Sequence, residues 1–113
     1  MQVEIKKFLA DIQEAVEDII EFTRDKSIQD YIENPLLRAG VERQFEIIGE
    51  ALNQLSKIDM TTAERLTDYR RIIAFRNILI HGYSVIDDKV VWDVAKIDIP
   101  ILLQEVSQLL EEP

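Results

Sequence analysis

Cysteine is missing altogether from this chain of 113 residues. That excludes a disulfide framework, a thiolate nucleophile and a thiolate metal site. Histidine occurs once, at position 81, so a zinc site has no adequate ligand set and no metal or other cofactor is expected. No apolar run reaches the roughly 20 residues of a membrane-crossing helix. The opening MQVEIKKFLADIQEAVEDII interleaves acids with its apolar positions and ends in no small-residue cleavage site, unlike a secretory leader. A cytoplasmic protein with no membrane partner is the expectation. Internal repeats, low-complexity tracts, interdomain linkers and trustworthy strand-like alternation are absent too.

What is present is a mixture of 47% hydrophobic and 31% charged residues, the balance of a globular chain with a packed interior. Its length fits one domain over residues 1–113, burying roughly two-thirds of the surface of the unfolded chain. The formal net charge of −9 argues at first against nucleic acid, since phosphate affinity rests on clustered Lys and Arg. The distribution changes that reading. Residues 1–36 and 82–113 each carry −5, whereas residues 37–81 carry +1. An anion is therefore best received by the middle third, although the acidic remainder would slow the approach of RNA at low salt.

Helical periodicity organises the chain. Ile5, Phe8, Leu9, Ile12, Val16, Ile19 and Ile20 recur with the spacing of one amphipathic face, which predicts a helix over residues 2–24. Ser27 with Asp30 resembles a capping box opening a short helix over Ile28–Glu33. Asn34 followed by Pro35 is a stronger start signal, and Leu37, Val41, Phe45, Ile48, Leu52 and Leu55 carry that helix to about Lys57. Thr61 and Glu64 suggest another capping box, with a short helix over Thr62–Thr67. Asp68 is then placed to cap a helix whose inner face is Ile72, Phe75 and Leu79, ending near His81 before Gly82. Asp87 or Asp88 starts a last helical region containing Val91, Trp92, Val94, Ile97, Ile101, Leu102, Val106 and Leu109, which Pro100 should kink or divide. The expected fold is all-α: an up-and-down bundle of four main helices with short accessory helices. Ala39, Gly40, Ile47, Gly49 and Ala51 add small and apolar surface beside the main stripe of the 35–57 helix, and read equally as a homodimer seam or as close packing inside one bundle.

The stretch RNILIHGYS holds the chemistry-bearing candidates. An Arg five positions before the one His is weak evidence by itself, because residues five apart point about 140° away from each other on an ideal helix. Asn77 and His81 share a face, and Arg76 would align with Tyr83 if the helix continued. Arg76 and His81 can converge if the helix end distorts at Gly82, or if two subunits present them to one cleft.

Arg76-Asn77-x-x-x-His81-x-Tyr83 resembles the R-polar-x(3)-H signature of the HEPN superfamily, and its trailing Tyr is similar to the HepT-like toxin branch. The likeness spans almost the whole chain: Arg38 followed by VERQFEIIGEAL, then Tyr69-Arg70-Arg71-Ile72-Ile73, RNILIHGY and VVWDVAKIDIPILLQEV. The resemblance implies a metal-independent endoribonuclease acting on RNA as the toxin of a two-gene module. Its partner would be a minimal nucleotidyltransferase antitoxin. HEPN-like bundles commonly dimerise so that two motif copies line one cleft, and in the HepT-like branch the Tyr, here Tyr83, would be adenylylated to silence the toxin.

Those side chains suit the implied reaction. An imidazole near neutral pKa can take the proton of an RNA 2′-OH or protonate the departing 5′-oxygen. A guanidinium stays charged and offers a planar fork to a phosphoryl oxygen gaining charge. Asn77 could orient His81 or reach the phosphate. Simpler roles exist for each residue: His81 as a complement to the helix dipole, Arg76 as a solvated side chain, Tyr83 as packing. Arg70 and Arg71 read as a solvated face, Trp92 as core, the acids Glu14, Glu17, Asp18 and Glu21 as a solvated face, and Glu50 as structural with no catalytic role. The competing function is a non-catalytic helical nucleotide- or partner-binding subunit of a nucleotidyltransferase complex. A purely structural dimerisation bundle leaves the RN–H–Y element as coincidence.

Overall fold

The stripe that begins at Ile5 folds as α1, Val3–Thr23, which buries Ile5, Leu9, Ile12, Val16 and Ile19 and leaves Phe8 and Ile20 at the edge of the core. A computed structural model describes residues 1–81 and 87–113. After α1 the chain turns through Asp25, whose φ of 58° is left-handed, a conformation Asp tolerates better than most side chains. α2, Ile28–Glu33, opens with the reciprocal cap that Ser27 and Asp30 predict. The Asp30 amide donates to Ser27 Oγ at 3.1 Å, and the Ser27 amide donates to Asp30 Oδ2 at 2.8 Å. α3, Pro35–Ile58, starts as expected too, with the Leu37 amide donating to Asn34 Oδ1 at 3.1 Å.

The next start departs from the sequence reading. α4 is Met60–Glu64, not Thr62–Thr67. Asp59 is the cap: its Oδ1 accepts the Thr62 amide at 3.1 Å and its Oδ2 the Thr62 hydroxyl at 2.6 Å. A carboxylate with two acceptor oxygens satisfies more donors there than Thr61 could, so the helix begins two residues early. Thr67 is drawn away to Glu105, whose Oε2 accepts its hydroxyl at 2.6 Å. α5, Tyr69–His81, follows as expected, although Asp68 precedes it with φ 60°, not the extended backbone of an ordinary N-cap. The expected stop at Gly82 lies outside the described residues.

The last region divides as Pro100 requires. α6 is Asp88–Asp93, capped by Asp87; a π-helical turn covers Val94–Asp98; α7 is Ile99–Glu111 with Pro100 in its first turn. The Ile99 amide bonds back to the Val94 carbonyl, five residues earlier. A wide turn holds an extra residue, so it rotates the stripe that a regular helix would carry. Ile97 and Ile101, expected inside, stand 61% and 45% exposed for that reason. Trp92 is half-buried at the rim, its ring 5.6 Å from that of Tyr31.

α1, α3, α5 and α7 are the four main helices of an all-α bundle, with no strand among the described residues. α1 packs on α3 and α7, and α3 packs on α5. Leu9, Ile12, Val16, Ile19, Phe45, Ile48, Leu52 and Leu55 are wholly buried between them, each contributing about 1.5–3 kcal/mol by the usual transfer scale. Phe45 meets Phe75 edge to face at 5.1 Å, which fixes α5 against α3. No helix among the described residues is long and apolar enough to cross a membrane.

Packing within the chain absorbs part of the small-residue surface on α3. Gly49 and Ala51 are buried, and a Cβ at Gly40 would lie 3.5 Å from the Phe22 ring. Close approach of a neighbouring helix accounts for Gly49.

Candidate active site

α5 lies so near α3 at Gly49 that a Cβ there would sit 2.3, 2.8 and 2.9 Å from Cβ, Cγ and Cδ of Arg76. Only a missing side chain leaves that space. The aliphatic stem of Arg76 therefore lies directly on α3 at Gly49, and its guanidinium reaches past it. There Nη2 reaches Glu50 Oε2 at 2.6 Å, and Nη1 donates to Asn77 Oδ1 at 3.1 Å. Arg76 Nε is buried and has no hydrogen-bond partner among the described residues. The Glu50 carboxylate is itself held, because Gln54 Nε2 donates to Oε1 at 3.0 Å from one turn further along α3.

This group borders a surface hollow of about 270 Å³ between α1, α3 and α5, lined by Phe8, Asp11, Arg43, Glu46, Glu50, Arg76 and Ile80 among others. Arg43 is paired with Glu46 at 3.3 Å. The side chain of Arg76 is 22% exposed and that of Glu50 47%. A guanidinium has five N–H groups, so the two contacts leave Arg76 with donor capacity for an anion that enters the hollow.

The sequence candidates are distributed unevenly. Arg76 and Asn77 are brought together by their hydrogen bond. His81 closes α5 and is exposed; it is not among the described residues lining the Arg76 hollow. Tyr83 lies outside the described residues. Arg71 pairs with Asp98 at 3.1 Å, and the Arg70 guanidinium lies 5.3 Å from the Tyr69 ring centroid, surface roles in keeping with a solvated face. Among the described residues, no group of three or more His, Cys, Asp or Glu side chains is placed to hold a metal ion.

Glu50, read from the sequence as structural, is the acidic partner of Arg76, and Gly49 is the clearance that permits the contact. Neither role has a local signal. Both arise where α3 crosses α5, and no periodicity within either helix records which residues of the other one it meets.

A second cluster lies away from this hollow. Tyr31 is buried, and burial first, then the nearby Glu42 and Asp88 charges, push its phenol above the ordinary range. Glu42 is raised as well, by desolvation and by the Asp88 charge. Arg38 turns inward to donate to the Tyr31 and Ile32 carbonyls, so it completes the α2–α3 turn.

The family model for ribonuclease HepT-like proteins matches residues 12–109. In Methanocaldococcus jannaschii, "Putative RNase MJ1380" is 38% identical over 104 residues, spanning 92% of this chain and 94% of that protein. "Probable ribonuclease HepT" of Thermococcus cleftensis is 36% identical over 104 residues, with the same 92% and 94% coverage. "Putative RNase MJ1216", also of M. jannaschii, is 33% identical over 109 residues, covering 96% of this chain and 89% of that one. No solved structure matches.

Proposed function

Since the chain belongs to the HepT-like ribonuclease family, we propose that residues 1–113 form a single HEPN-like domain acting as a metal-independent endoribonuclease. In this reading the protein is the cytoplasmic toxin of a toxin–antitoxin module. Arg76 and His81 are the catalytic residues, Asn77 supports them, and two protomers bring them to one cleft. A minimal nucleotidyltransferase antitoxin silences the toxin by transferring AMP to Tyr83.

The observation that carries this reading is Arg76, its stem seated on Gly49 and its guanidinium held by Glu50 and Asn77 at the rim of a hollow with donor capacity to spare. A side chain so placed is preorganised for an anion, and preorganised charge is most effective where negative charge develops in the transition state. RNA supplies its own nucleophile. The 2′-oxygen attacks phosphorus, the bond to the 5′-oxygen breaks, and a 2′,3′-cyclic phosphate remains on one product with a 5′-hydroxyl on the other. His81 moves the proton, and exposure at the end of α5 leaves its imidazole accessible to a second chain. Among the described residues His81 is not part of the lining of the Arg76 hollow, and a cleft formed by a pair of protomers would bring the two side chains together. An AMP group on Tyr83 would add a phosphate that competes for Arg76.

Incubation of the purified protein with RNA in excess EDTA tests the proposal. Cleavage products ending in 2′,3′-cyclic phosphate are expected, with Arg76→Ala and His81→Ala each slower by at least about 100-fold, the scale of a lost acid–base or oxyanion group. Intact RNA with wild-type protein would favour the non-catalytic nucleotidyltransferase-binding subunit instead. Mass spectrometry after co-expression with a nucleotidyltransferase should place the added AMP on Tyr83, and a modification elsewhere would contradict the regulatory step.

A further inference from the structure

Resting on the ribonuclease reading of this site, we propose that Glu50 is the positioning residue that holds the Arg76 fork in its working orientation. Arg76 is pinned at three points that leave its guanidinium little choice. Its stem rests on Gly49, where even a methyl group would collide with Cβ, Cγ and Cδ. One Nη sits on Asn77 Oδ1 at 3.1 Å, and the other on Glu50 Oε2 at 2.6 Å. Asn77 is the next residue on the same helix, so it moves with Arg76. Glu50 is on α3, and Gln54 fixes its other oxygen at 3.0 Å, so among the described residues it alone ties the guanidinium to a different element.

Stability is a minor part of what this pair supplies, although the Arg76 side chain is only 22% exposed. The Glu50 side chain is 47% exposed, and ion pairs in contact with water contribute little to folding. Geometry is the larger part. Rotation about the outer bonds of an unsupported arginine swings the fork by ångströms, and displacements near 1 Å at a reacting centre can cost on the order of 100-fold in rate. A carboxylate that shares Arg76 also repels an incoming phosphodiester. Removing it should therefore slow the chemical step without weakening RNA binding, a combination that neither a binding residue nor a structural one produces.

Steady-state cleavage of a short RNA by wild type, Glu50→Ala, Glu50→Gln, Arg76→Lys and the double variant Glu50→Ala/Arg76→Lys tests this. For Glu50→Ala, kcat should fall roughly 10- to 100-fold while KM stays level or drops. Glu50→Gln, which keeps an oxygen acceptor of the same reach, should fall in between. Because Glu50 acts through the fork, its loss in the Arg76→Lys background should change kcat by less than about threefold. Wild-type kcat in Glu50→Ala overturns the proposal, as do independent, multiplying effects in the double variant or a KM that rises as kcat falls. Wild-type protein that leaves RNA whole overturns the ribonuclease reading and this proposal together, a pattern distinct from equal activity in wild type and Glu50→Ala.

Discussion

Arg76 is held by contacts of very different reach. The bond to Asn77 is between neighbours; the RNILIHGY element singles out both residues, although the sequence assigned Asn77 to His81 or the phosphate and not to Arg76. The contacts with Gly49 and Glu50 join α3 to α5, and a glycine or glutamate on a helical surface carries no mark of a partner more than 20 residues away. Gly49 consequently read equally as part of a dimer seam or as close packing inside one bundle, with no sign of which residue it meets. Gly49→Ala tests its actual role. The added methyl meets three carbons of Arg76 at under 3 Å, so α5 must shift outward or Arg76 must leave its groove. Overpacking of this kind costs about 1–3 kcal/mol, seen as a lower urea midpoint, and RNA cleavage should fall more steeply than the remaining folded fraction explains. Unchanged stability and activity would mean that α3 and α5 do not approach so closely.

At the level of elements, the sequence is most legible where one side chain decides a helix start. The Ser27–Asp30 box and the Asn34–Pro35 pair stand where they were read, because each donor, acceptor and missing N–H is local. Asn34→Ala should cost about 1 kcal/mol, the usual value of an N-cap, in chemical denaturation. α4 was misread because two caps compete within three residues and the stronger, Asp59, wins. Its hydrogen bonds to the Thr62 hydroxyl and amide hold the Asp59 carboxyl below the ordinary range. A depressed carboxyl pKa favours the fold above the unfolded value, and that contribution is lost as pH falls through the folded value. Asp59→Asn should therefore be less stable than wild type at pH 7, and the gap should narrow as pH falls below the unfolded carboxyl pKa of about 3.9 and through the lower folded value. A gap that persists undiminished in acid would assign the effect to packing instead of charge. Pro100 announced a break, yet not its form. The π-helical turn ahead of it rotates Ile97 and Ile101 to the surface, and a periodicity count that assumes a regular helix cannot register that rotation.

For the whole molecule, charge is the property most at odds with an RNA substrate. The net −9 is concentrated in the two outer thirds of the sequence, and the hollow beside Arg76 sets Asp11, Glu46 and Glu50 against Arg43 and Arg76. Such a surface releases few counterions from RNA and gains little from long-range attraction. Between 50 and 200 mM salt, kcat/KM should change by less than about threefold, whereas a protein contacting 6–10 phosphates loses about 10³–10⁵ in affinity over that range. A steep decline would reveal a basic track that neither the sequence nor the fold presents. The all-α bundle itself was readable from its amphipathic stripes. What one chain's sequence does not encode locally is whether His81, exposed at the end of α5, meets an arginine whose side chain lies across α3.

Co-expression of Arg76→Ala and His81→Ala chains under different tags, followed by isolation of the mixed dimer, addresses that meeting most directly. One protomer then supplies the only Arg76 and its partner the only His81. A cleft shared between subunits predicts that the mixed dimer cuts RNA at least about tenfold faster than either variant alone, since the symmetry places each motif opposite its copy. A mixed dimer no more active than its parents would contradict the shared cleft and confine both residues to work within a single chain.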